Sequence, residues 1–156
     1  MVSRTVLVLG LGNRLLGDDA AGPLVVEQLM DRQLPAGVSV LDGGTVGLAL
    51  LPEIEDATAF VAVDAARFGS APGTVRVFEG ASMDALLGGM RRSAHEVALA
   101  DLMGAAALTG RLPSRRALVA VEPQSSALSW QPTPVVAAAI GPMCEAVEAL
   151  VRQWTR

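Results

Sequence analysis

Cysteine and histidine are almost absent from this chain: its 156 residues hold one of each, Cys144 and His95. A single cysteine excludes an internal disulfide and a cysteine-cluster zinc site. A single histidine excludes the HExxH arrangement of many zinc proteases and limits any metal site to one imidazole per chain. Aromatics are scarce, with two Trp, three Phe and no Tyr, so no base-stacking platform is expected. Basic residues are adjacent only at Arg91–Arg92 and Arg115–Arg116, and the net charge is −4. That argues against a nucleic-acid partner, which demands clustered Lys and Arg. Hydrophobic residues make up 51% of the chain, yet charges, Gly or Pro break each apolar run short of the roughly 18 residues of a membrane span. The opening residues read as a first strand rather than a signal peptide, so a cytoplasmic location and no membrane partner are expected.

What the chain has is an alternation of strand-like and helix-like stretches. Thr5–Gly10 is a continuous apolar strand, and Ala21–Arg32 has helical spacing with Pro23 in its first turn. Val38–Leu41 is a second strand ending at Asp42, and "LALLPEI" a short helix interrupted by Pro52. "ATAFVAVDAA" is a third strand ending at Asp64, and "APGTVRVFE" an alternating fourth, suited to an edge. The link from Asp64 to Thr74 is too short for a crossover helix, so strands three and four are expected to be antiparallel neighbours. Ala117–Pro123 is a fifth strand. Ser93 and Glu96 form a capping box that opens a helix with Val97, Leu102 and Met103 on its apolar face. The last helix, Pro134 to Trp154, should kink or split at Gly141–Pro142. The expected fold is α/β: one domain over residues 1–156, a three-layer sandwich with a five-stranded, mostly parallel sheet, one antiparallel edge strand and helices on both faces.

The turn "GLGNRLLGDDAAGP" after the first strand stands where α/β proteins often hold phosphate. The dinucleotide fingerprint fails because Leu15 occupies the third glycine position. Gly12 and Gly17 meet the spacing of a phosphate loop, but Asp18 and Asp19 replace its Lys and Ser/Thr. A carboxylate about 4 Å from a phosphate oxygen opposes binding by roughly 1–4 kcal/mol. No nucleotide is therefore expected, and a cation is. If strands one to three are parallel neighbours, Asp18–Asp19, Asp42 and Asp64 share the carboxyl edge where such sheets bind ligands. His95, at a helix N-terminus that disfavours imidazolium, can join them as a neutral ligand. Carboxylates with one imidazole suit nickel or zinc. Each residue also has a plainer use: Asp18 as a helix cap, Asp42 in a turn, Cys144 in the core. Glu53, Glu55 and Asp56 read as a solvated helix end, and Trp130 and Trp154 as packing residues.

"VLVLGLGNRLLGDDAAG", "LDGGTVGLALL", "VAVDAARFGSAPGTVRVFE", "SAHEVALADLM" and "VAVEPQS" together resemble the nickel–iron hydrogenase maturation endopeptidases, over nearly the whole chain. The resemblance implies a peptidase that removes a C-terminal peptide from a hydrogenase large-subunit precursor after nickel insertion. It carries metal contact over to Asp19, Asp64 and His95, and puts Asp42 of "DGGT" close to the site. The nickel would arrive with the substrate as recognition mark and template, with no organic cofactor. Water would be the nucleophile and Asp42 the candidate base. Two rivals are a non-catalytic checkpoint module for nickel-loaded subunit and a hydrolase of a small molecule with its own resident metal.

Overall fold

Two kinds of strand decide the sheet. β1 (Val6–Leu11), β3 (Ala59–Ala65) and most of β5 (Arg115–Val121) are apolar on both faces and buried throughout. β2 (Val38–Gly44) and β4 (Val75–Glu79) are half-exposed. The first kind needs cover on both sides and takes the centre; the second tolerates the edge. The order is β2-β1-β3-β5-β4, parallel except for β4, which runs antiparallel to β5. The computed structural model describes residues 5–44, 48–89 and 94–156, with the backbone alone at Leu48 and over 94–98.

The expected architecture stands, with one neighbour corrected. β4 is antiparallel and at the edge, but it pairs with β5, not β3. Spanning two strand spacings takes only about 10 Å, well within reach of the link from Asp64 to Thr74. The apolar β5 then enters the gap and covers β3.

Alternation along the strands divides the core between two faces. Val6, Val8, Val61, Val63, Val119 and Val121 meet α1 (Ala21–Met30) and α6 (Ile140–Trp154). Leu7, Leu9, Phe60, Ala62 and Leu118 meet α2 (Leu51–Asp56), α3 (Ala81–Leu87) and α4 (Ala94–Leu108). Each fully buried Leu, Val or Phe contributes about 1.5–3 kcal/mol. Arg116 of β5 grips Asp84 of α3 through two bonds of 3.0 and 2.6 Å, fixing α3 to the sheet. That pairing holds the Asp84 carboxyl below its usual range.

Several local expectations shift. The last helical stretch does split, but at Ala138–Ala139, between α5 (Pro134–Ala137) and α6; Gly141 and Pro142 lie in the first turn of α6. Proline is tolerated there because first-turn amides have no intrahelical acceptor. By length and composition alone, Pro134–Trp154 is apolar enough to cross a membrane, as core helices also can be. In the fold, the apolar side of α6, from Ile140 to Trp154, faces the sheet. Pro52 opens α2 rather than interrupting it. Trp154 is buried as expected, but Trp130 is 84% exposed. Ser93 of the capping box lies outside the described residues, and α3 had no counterpart in the sequence reading.

Candidate active site

The chain leaves β1, passes through α1 to β2 on one side, then through α2 to β3 on the other. The direction of winding therefore reverses between β1 and β3. A crevice opens at the carboxyl ends of the strands at such a point, and ligands bind there. Asp19 follows β1 and Asp64 lies in β3, one on each side of that reversal.

Asp19 sits in a 3-10 turn, Gly17–Ala20, that packs against β3. Two glycines allow that approach. A Cβ on Gly12, whose φ is +136°, would stand 1.9 Å from the Asp19 carbonyl oxygen. A Cβ on Gly22 would stand 2.1 Å from the Leu11 carbonyl oxygen and 2.5 Å from that of Val63. Asp19 is buried, and its Oδ2 accepts the Asn13 amide at 3.0 Å.

Asp64 is 1% exposed. It shares strand parity with Phe60 and Ala62, which places its side chain on the α2–α4 face. α4 begins at that face. Its last turn meets the end of α2, where the Thr109 hydroxyl bonds the Glu55 carboxylate. The helix also packs near the short turn Leu48–Leu50 that follows β2. The backbone of His95, in the first turn of α4, therefore lies toward the carboxyl rim. The His95 side chain falls outside the described residues. Among the described residues, no three His, Cys, Asp or Glu side chains form a group able to hold a metal ion.

Asp42 pairs with Gly10 inside β2, which continues two residues beyond it. Its Oδ1 accepts the Gly44 amide at 2.9 Å, the local bond of a turn-forming aspartate. Its Oδ2 lies 3.6 Å from Arg14, which also bonds Glu27 at 3.0 Å. Arg14, which the sequence reading passed over, thus links the glycine turn to β2 and α1.

Asp18 does not cap the first helix: neither the 3-10 turn nor α1 has a side-chain cap. The residue is fully buried and reaches the loop after β5. Its Oδ2 accepts the amides of Gln124 at 2.7 Å and Ser125 at 2.9 Å. Its Oδ1 accepts the Thr133 amide at 2.6 Å, and the Thr133 hydroxyl bonds both oxygens at 2.9 Å. Burial pushes this carboxyl up, but the amides of Ser125, Thr133 and Gln124 and the Thr133 hydroxyl outweigh it and hold it below the ordinary value.

Glu122, also buried, was likewise missed. Its Oε1 accepts the amides of Phe68 and Ser70 at 3.0 and 2.8 Å, tying down the loop after β3. The signal was available: an acid ending the apolar run "ALVAV" raises the same question as Asp64. Cys144 is buried in the core, and burial raises its thiol, which disfavours thiolate chemistry. The solvated reading of Glu53 and Asp56 holds.

Fold and site together define an α/β protein with aspartates on both sides of a topological switch point. A family model described as hydrogenase maturation protease (HycI) matches residues 23–150. The hydrogenase 2 maturation protease of Escherichia coli (strain K12) is 39% identical over 150 residues, covering 95% of this chain and 91% of that protein. The solved structure of hydrogenase maturating endopeptidase HybD from E. coli superposes with a TM-score of 0.90 at 38% identity, covering 96% of this chain and 93% of that one. The chain belongs to the hydrogenase maturation protease family. It is also 41% identical over 119 residues to the hydrogenase expression/formation protein HupD of Rhodobacter capsulatus, covering 76% of this chain. The chain spans 57% of the length of that relative.

Proposed function

We propose that this chain is an endopeptidase that removes the C-terminal peptide of a nickel–iron hydrogenase large-subunit precursor, in the cytoplasm and after nickel has been inserted. The observation that carries this reading is the placement of Asp19 and Asp64 on the two sides of the β1–β3 switch point, with α4 starting toward the same rim. The nickel belongs to the substrate. Asp19, Asp64 and His95 complete its coordination, and the scissile bond is thereby held beside the enzyme. Empty precursor lacks the ion that these side chains grip, so it is not aligned for cleavage. Water is the nucleophile, and Asp42, its carboxylate oriented by Gly44 and Arg14, is the base we assign to it.

The test is incubation of the purified protein with nickel-loaded and nickel-free precursor. The reading expects shortening of the loaded form alone, and loss of shortening in Asp19→Asn, Asp64→Asn and His95→Ala. Binding of loaded precursor without shortening would instead identify a checkpoint module. Stoichiometric metal retained by the protein purified without partner would point to a resident-metal hydrolase.

A further inference from the structure

Asp18 is the most heavily bonded acid described in this chain, yet the proposed reaction gives it no role. All its side-chain donors come from one loop, residues 124–133. The backbones join as well. The amides of Gly17 and Asp18 donate to the carbonyls of Ser129 and Ser125, each at 3.1 Å, and the Ser129 amide returns a bond to Leu15 at 2.9 Å. The turn leaving β1 is therefore stitched to the loop leaving β5. β3 lies between those two strands, so this tie runs across the end of the strand that carries Asp64.

Asp19, one residue on, is held from the other direction. Its carboxylate takes the Asn13 amide and its backbone rests on Gly12. The Asp18 carboxylate thus ties the turn that carries Asp19 to a distant part of the chain. A buried carboxylate facing several N–H donors is a rigid anchor, because leaving any of those donors unpaired is expensive.

We infer that Asp18 is a positioning residue for the cleavage reaction: by tying the 124–133 loop to the glycine turn it sets Asp19 against Asp64. The inference rests on reading those two aspartates as the contacts of substrate nickel. Asp18 itself touches neither nickel nor peptide.

The test compares Asp18→Asn, Thr133→Val, Thr133→Ser and Asp19→Asn in full-length protein. Nickel-loaded precursor processing is followed with kcat and KM separated, and the amide resonance of Asn13 reports the Asp19 carboxylate. Asp18→Asn turns an acceptor oxygen into a donor facing donors. It should lower kcat about 10-fold or more, as loss of an outer-shell partner does at metal sites, and shift the Asn13 resonance. Thr133→Val, which removes only the hydroxyl, should move both readouts in the same direction by less. Thr133→Ser, which keeps it, should match the parent protein. If Asp18→Asn does not fold, Thr133→Val against Thr133→Ser decides. Folded variants with kcat within about twofold of the parent and an unmoved Asn13 resonance would overturn the inference, provided Asp19→Asn is inactive. If Asp19→Asn processes normally, the reading of the site has failed and the inference falls with it.

Discussion

Four acidic residues are buried among the described residues, all near the carboxyl rim, and they divide into two pairs. Asp18 and Glu122 hold loops: one binds the segment after β5, the other the segment after β3. Asp19 and Asp64 flank the switch point between β1 and β3. Burial of an acid at this rim is therefore no mark of chemistry by itself. In the reading proposed above, the partners of each carboxylate separate the two uses: Asp18 and Glu122 accept amides from loops distant in the chain, whereas Asp19 accepts the amide of Asn13 in its own turn.

The comparison breaks most sharply in precursor processing. Asp19→Asn and Asp64→Asn should each reduce it more than about 100-fold, beyond the 10–100-fold expected when an outer-shell partner of a metal site is lost. The same loss in Glu122→Gln would erase the distinction between the pairs. Stability should rank the other way. Asp18→Asn should lower the free energy of unfolding by about 3 kcal/mol, measured in urea, because buried donors lose their acceptor. Glu122→Gln should cost only about 1 kcal/mol, since a glutamine oxygen can still take the two amides it serves.

A pH series sharpens the same contrast. The Asp18 carboxyl is held below its ordinary value in the fold. Its contribution is complete above its unfolded pKa of about 3.9 and is lost as pH falls through the lower folded value. The stability difference between the parent and Asp18→Asn should therefore narrow below about pH 4. The smallest effect is expected at the loop's own surface. Trp130→Ala should change stability by no more than about 0.5 kcal/mol, whereas Trp154→Ala should cost about 3–5 kcal/mol.

Much of this was legible in the chain. The apolar runs of β1, β3 and β5 marked central strands, and alternation in "VRVFE" marked an edge. Those signals are local, set by which residues can be covered from both sides. The combined motifs pointed to the family that the comparisons establish. Trp130 escaped because a tryptophan in a loop has no periodicity to show which way it faces.

Sequence alone therefore determined the five strands, most of the helices and the glycine turn followed by acids, because each rests on neighbours a few residues apart. Only tertiary structure decided that β5 separates β3 from β4, and that Asp18 anchors a loop while Asp19 lies beside the β1–β3 switch point. The donors that claim Asp18 lie 106–115 residues further along the chain. Bonds between such distant positions leave no trace in local pattern; they exist only once the strands have been brought side by side.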